Sequence, residues 1–283
     1  MRRVCPAMGG RNGGRGASGA ITLPGPSGAH AMRRLPALRA GAKLSADPPY
    51  GKATFMTITT CVFDAYGTLL DVSAAARALA ALPGNEALAD TLPQLSAIWR
   101  TKQLEYTWLR AAAGVHTDFW KVTQDGLDYA MEAVGGLTDA HRAALLDLYW
   151  TLEAYPDAAA TLAELKSRGL NTAILSNGTP DMLRAAADAS NLSGWLDALI
   201  SVESCGVFKP SPRVYDLVTR HFGVPSREVL FVSSNGWDAA AAAGYGFRSI
   251  WVNRMSAPPE RLPWAPDEIA SDLTAVPAAA GRY

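Results

Sequence analysis

From Met56 onward, short apolar runs alternate with longer stretches in which apolar residues recur every three or four positions. The short runs predict strands at 59–63, 171–175, 198–201, 229–232 and 248–252, and the stretches between them predict crossover helices. Pro156 at a first helical position and Gly169 beyond the end bracket one helix, Thr179-Pro180-Asp181 opens a second, and Ser211-Pro212 opens a third that Gly223 closes. The alanine run 239–243 reads as a tightly packed helix. The interval 73–154 breaks the alternation and predicts helices alone, near 88–112, 117–134 and 138–152. The pattern therefore predicts an α/β fold: a doubly wound, Rossmann-like parallel sheet core (56–72 and 155–275) with an inserted helical cap domain (73–154) above the end of the first strand. Residues 276–283 are expected as a C-terminal tail.

Apolar residues make up 49% of the 283, enough for a sizeable core. No apolar run is long enough to span a bilayer, so no membrane partner is expected. The formal net charge of zero conceals an asymmetry. Residues 1–56 hold nine basic residues and one acid, Asp47, leaving 17 basic and 25 acidic residues beyond them. A domain so acidic has little electrostatic reason to bind nucleic acid. Cys5, Cys61 and Cys205 are odd in number and scattered, which supports neither a disulfide framework nor a zinc ligand set and fits a reducing, cytoplasmic setting.

Residues 1–55, rich in Gly, Ala, Arg and Pro and without apolar periodicity, are expected as a disordered tail. A start assigned too early, with Met56 as the true beginning, is the favoured reading; a transit peptide and a twin-Arg signal at Arg2-Arg3 stay open. Gly14-Arg15-Gly16-Ala17-Ser18-Gly19 matches a dinucleotide fingerprint by letter, but no strand precedes it and no helix follows.

The chemistry concentrates where strands end. Cys61-Val62-Phe63-Asp64 brings an apolar run up to a carboxylate, and a Gly67-Thr68 turn follows. An open α/β sheet delivers such a side chain to the crevice at its carboxyl edge, where Asp64 is a candidate nucleophile or base. Three further loops carry polar groups: Ser176-Asn177-Gly178, then Lys209-Pro210 with Tyr215 on the next helix, then Ser233-Ser234-Asn235-Gly236-Trp237-Asp238. Their convergence would form an anion-binding pocket containing a nucleophile. His30, His116, His141 and His221 lack any nucleophile-base context or metal-ligand spacing.

Asp64-Ala65-Tyr66-Gly67-Thr68-Leu69 and the other three loops resemble, in order, the four motifs of the haloacid dehalogenase superfamily. Trp99-Arg100-Thr101-Lys102-Gln103-Leu104-Glu105-Tyr106-Thr107-Trp108-Leu109-Arg110 resembles the cap helix of its (S)-2-haloacid dehalogenases, the type II branch. The resemblance covers about residues 57–275. It implies that Asp64 displaces halide from Cα of a small 2-haloalkanoic acid through an ester, with inversion, and that water then releases the (R)-2-hydroxyacid. It implies no cofactor and allows a homodimer. Arg100 would stabilise the departing halide; Ser176, Lys209 and backbone amides near Ala65 and Tyr66 would hold the substrate carboxylate. Thr68, Tyr215, Ser233, Asn235 and Asp238 match further active-site positions, Asn235 and Asp238 being expected to orient the hydrolytic water, while Asn177 and Trp237 would line the pocket.

Two departures from the wider superfamily narrow the chemistry. Its phosphatases place a second Asp two residues after the nucleophile and an acid in the fourth loop for Mg²⁺; here those positions hold Tyr66 and Ser234. A phosphate dianion needs such a metal, whereas a monoanionic haloacid does not. A phosphatase and a catalytically silent small-acid-binding protein remain the alternatives. Spacing alone also leaves bland readings: Arg100 beside Lys102 and Glu105 as a solvated face, Tyr66 and Trp237 as core aromatics, and Leu95, Ile98, Trp99 and Trp108 as helix-packing residues.

Overall fold

The computed structural model describes residues 57–283; the expectations for 1–55, Met56, Cys5, His30 and the 14–19 fingerprint lie outside them. Six parallel strands form one sheet in the order β3-β2-β1-β4-β5-β6: β1 Thr60–Phe63, β2 Asn171–Ser176, β3 Ala198–Ser201, β4 Val229–Ser233, β5 Arg248–Val252 and β6 Glu268–Ala270. β1 and β4 are buried along their whole length, as expected of strands covered by helices on both faces. The strand order reverses between β1 and β4, and a crevice opens there at the carboxyl ends. Phe63 is level with Ile174 on one side and Val232 on the other, so Asp64 emerges beside the loops that follow Leu175 and Ser233.

The core helices are α5 Ala158–Ser167, α6 Pro180–Ala189, α7 Pro212–Phe222 and α8 Gly236–Tyr245, with α9 Val276–Ala280 at the end of the chain. Thr179 caps α6 by accepting from the Met182 amide, and Gly223 ends α7 in the left-handed region at φ 66°. Pro156 lies outside α5, whose N-cap is Asp157. Asp157 is instead ion-paired with Arg254 at 2.9 Å, and the Arg254 guanidinium covers the Tyr155 ring at 4.0 Å.

Between β1 and β2 the chain forms α1 Ala74–Ala80, α2 Thr91–Ala113, α3 Phe119–Val134 and α4 Asp139–Tyr149. The insert leaves and rejoins the sheet at one point: Leu70 pairs with Ala154, and the Tyr155 amide donates to the Leu69 carbonyl at 2.8 Å. α2 buries Leu92, Leu95, Trp99, Gln103 and Thr107, a three-to-four-residue spacing that forms one face. α3 packs tightly against that face because Gly126 has no side chain; a Cβ there would meet the Gln103 backbone nitrogen at 3.2 Å.

Besides Pro156, three features depart from the sequence expectation. α1 and β6 were not anticipated. The expected tail at 276–283 is instead part of the core: Val276 and Ala279 are buried, Arg168 donates to the Pro277 carbonyl at 2.6 Å, and the Tyr283 hydroxyl donates to Glu268 at 2.8 Å. Its apolar side chains complete the packing of α5, which explains why it is held.

Candidate active site

The first loop turns sharply because the Ala65 carbonyl accepts the amides of Thr68, Leu69 and Leu70. This turn brings Thr68 back over Asp64, and its hydroxyl donates to Asp64 Oδ2 at 3.0 Å. Thr68 Oγ1 in turn accepts the Ser234 amide at 2.8 Å, locking the first loop to the fourth. Asn235 Nδ2 donates to the same Asp64 oxygen at 2.8 Å, and the Asn235 amide donates to Ser233 Oγ at 3.1 Å. Asp64 Oδ1 faces Lys209, whose Nζ lies 3.1 Å away.

Lys209 is 1% exposed and bridges two carboxylates, with Asp238 Oδ2 at 2.7 Å. Burial alone would lower the lysine pKa, but the charges of Asp238 and Asp64 together outweigh it and hold the ammonium above its ordinary value. Burial pushes the Asp238 carboxyl up, with Lys209 opposing it and Asp64 adding to it. The Tyr215 hydroxyl donates to Asp238 Oδ1 at 2.7 Å, so both Asp238 oxygens carry a hydrogen bond from within the protein. The same phenol is held neutral, its pKa raised well above the ordinary value by burial and then by Asp238.

The second loop contributes less directly. Ser176 Oγ accepts the Gly178 amide at 3.1 Å, and Asn177 Oδ1 accepts the Lys209 amide at 3.0 Å, tying this loop to the third. Tyr66 lies against it: a Cβ on Gly178 would come within 2.9 Å of the Tyr66 ring. The Tyr66 hydroxyl is buried and has no hydrogen-bond partner among the described residues. Its ring stacks on Tyr149 of the insert at 5.4 Å.

Arg100 reaches from α2 across the first and fourth loops. Nη2 donates to the Tyr66 carbonyl at 3.2 Å and Asn235 Oδ1 at 3.3 Å, while Nη1 donates to Gln103 Oε1 at 2.9 Å. Lys102 and Glu105 pair with each other at 2.7 Å, which leaves Arg100 turned inward. Trp237 meets the edge of Trp108 at 5.4 Å, so Trp108 joins α2 to the fourth loop in addition to any packing within the insert. A cleft of about 1000 Å³, walled by Leu92, Ala97, Trp237, Trp251 and Arg254, opens beside Arg100 and Asn235.

The structure thus gathers Asp64, Thr68, Lys209, Asn235, Asp238, Tyr215 and Arg100 into one hydrogen-bonded group. Ser176 and Ser233 end β2 and β4, Asn177 follows β2, Trp237 lies in the first turn of α8, and Ala65 makes the turn after β1. Gln103 and Tyr149 were not singled out from the sequence. A polar Gln at the i+4 position from Trp99 on an otherwise apolar helix face was the available signal, since a buried amide demands partners. Tyr149 carried no such mark.

A family model described as haloacid dehalogenase-like hydrolase matches residues 58–246. The chain is 47% identical over 205 residues to (S)-2-haloacid dehalogenase 1 of Pseudomonas sp. (strain CBS-3), covering 72% of this chain and 88% of that protein. It is 44% identical over 209 residues to (S)-2-haloacid dehalogenase 4A of Burkholderia cepacia, covering 72% and 87%. Among solved structures, that of L-2-haloacid dehalogenase from Xanthobacter autotrophicus with chloropropionic acid covalently bound superposes with a TM-score of 0.71 at 39% identity, covering 78% of this chain and 98% of that one. Matches of this length run through every loop that touches Asp64 and through the helix that carries Arg100, and the chain belongs to the haloacid dehalogenase-like hydrolases, in the branch of the (S)-2-haloacid dehalogenases.

Proposed function

We propose that this protein hydrolyses (S)-2-haloacids to (R)-2-hydroxyacids and halide, with Asp64 as nucleophile. The observation that carries the reading is the meeting of Asp64 and Arg100 at one residue. Asn235 donates to the Asp64 carboxylate from Nδ2 and accepts the Arg100 guanidinium at Oδ1. A nucleophile and a cation for the leaving group therefore face one small space, as in-line displacement requires.

One Asp64 oxygen attacks Cα from the side opposite the carbon–halogen bond. The new C–O bond forms as the halide leaves with its electron pair toward Arg100, and Cα inverts. Water then adds to the ester carbonyl carbon, which is Cγ of Asp64. The Cγ–O bond breaks, the hydroxyacid departs with an oxygen that belonged to Asp64, and one proton passes to solvent. Lys209 pairs with Asp64 Oδ1 and neutralises part of the charge of the substrate carboxylate, helped by Ser176 and the amides near Ala65 and Tyr66. Asp238 and Tyr215 hold the Lys209 ammonium in place. Asn235 is the group best placed to orient the attacking water, because it already touches Asp64. Tyr66, whose hydroxyl lacks a partner among the described residues, and Trp237 shape the pocket around the substrate.

Chloride release from the two enantiomers of 2-chloropropionate, measured with EDTA present, tests this. Release from the (S) enantiomer alone, unaffected by EDTA, is expected. Turnover of a phosphate ester that EDTA abolishes, without chloride release, would overturn the reading in favour of a phosphatase.

A further inference from the structure

Gln103 occupies a place where a polar side chain is costly unless its hydrogen bonds are made. It is 1% exposed, on the face of α2 that buries Leu95, Trp99 and Thr107. Those bonds are made, and they determine which way the amide points. Thr123 Oγ1 donates to the Phe119 carbonyl at 2.8 Å, so toward Gln103 it must accept, and Nε2 donates to it at 2.8 Å. Nε2 also donates to the Tyr149 hydroxyl at 2.9 Å. With the amide nitrogen committed to α3 and α4, Oε1 accepts Arg100 Nη1 at 2.9 Å and, at the longer distance of 3.4 Å, the Tyr149 hydroxyl.

We propose that Gln103 is a positioning residue that aims the Arg100 guanidinium at the departing halide. Three helices of the insert converge on this one amide, so the orientation of Nη1 is set by the fold and not by the flexible arginine side chain. Nη2 makes the longer contacts, at 3.2 and 3.3 Å, to Tyr66 and Asn235. A halide arriving at the guanidinium displaces these, while the Gln103 contact persists through turnover. Preorganisation of this kind matters most when charge develops at the leaving group. The inference rests on the reading that Arg100 receives the halide.

The test uses the full chain and the single-turnover rate of halide release from (S)-2-chloropropionate and (S)-2-bromopropionate. Gln103→Leu should slow chloride release by about tenfold to a hundredfold with KM changed far less, since small misplacements of a charge-stabilising group cost that much. Bromide, the better leaving group, should lose less, so the bromide-to-chloride rate ratio rises. On an Arg100→Lys background, Gln103→Leu should add almost nothing, because it acts through the guanidinium. Gln103→Met, similar in length, replaces Leu in the series if Leu does not fold. Equal losses for the two halides, or losses that simply multiply with those of Arg100→Lys, would overturn the assignment and leave Gln103 as packing. Wild-type protein that releases no halide would sink the dehalogenase reading itself, a distinguishable outcome.

Discussion

Lys209 carries the largest electrostatic burden of any single residue. Its ammonium is shared between Asp64 and Asp238, and the next formal positive charge in the site is Arg100, whose contacts to this group run through Asn235. Removing it in Lys209→Ala leaves two buried carboxylates facing each other. Breaking such a pair costs about 3–5 kcal/mol of stability, and halide release should fall by at least about a hundredfold. The pH dependence has a definite sign. A lysine pKa raised on folding contributes stability that is complete below the ordinary 10.5 and is lost only as pH rises through the folded value. The deficit of Lys209→Ala in thermal melts should therefore be constant at every pH below that limit where Asp64 and Asp238 are ionised. A deficit confined to acid pH would show that the ammonium is not what the carboxylates require. At this scale the sequence was informative where a strand end or a following proline marked the residue, as for Asp64 and Lys209. It was silent on the pairing of Asp238 with Lys209, because which carboxylate faces which cation depends on how the loop before α7 meets α8.

Helices and loops meet the sheet edge through close contacts that leave no room for added atoms. Gly178 is one such position beside the site: a Cβ would approach Tyr66 at 2.9 Å and Leu183 at 3.0 Å. Gly178→Ala should therefore destabilise the fold by about 1–3 kcal/mol and also lower kcat/KM, since the displaced ring is stacked on Tyr149 and follows Asp64 by two residues. Unchanged melting and unchanged kinetics would mean that the Tyr66 ring moves aside freely. The elements that escaped the sequence did so for physical reasons. β6 is three residues with a half-exposed edge pattern, and its apolar member, Ile269, faces outward at 56% exposure. α9 is five residues of Val, Pro and Ala, too short to show a period, and is held by Arg168 and by packing on α5. α1 spans seven residues that are mostly alanine, which supports a helix without distinguishing an inward face. By contrast α2, α3 and α4 were legible through their length; α3 and α4 also have capped starts, where Asp118 and Thr138 accept the amides of Lys121 and His141.

For the whole molecule, the order β3-β2-β1-β4-β5-β6 puts the crevice between β1 and β4, and the insert between β1 and β2 is tethered so that α2 spans it. This arrangement resolves a tension in the charge distribution. The chain beyond residue 56 holds 25 acidic and 17 basic residues, yet the site must take an anion. A buried ammonium and a guanidinium from the insert offset the carboxylates of Asp64 and Asp238, so the site itself is near neutral although the chain around it is acidic. Strand positions and the inserted cap were legible in the sequence because parallel strands buried on both faces read as continuous apolar runs. The strand order was not, since nothing in a run of apolar residues states its neighbour. The most direct test of the account is a single turnover in ¹⁸O-labelled water, with protein in excess over (S)-2-chloropropionate. The hydroxyacid should emerge unlabelled, with its new oxygen drawn from Asp64 and the label appearing in the Asp64 carboxylate of a digested peptide. Label delivered straight into the hydroxyacid in that first turnover, with Asp64 unlabelled, would contradict it.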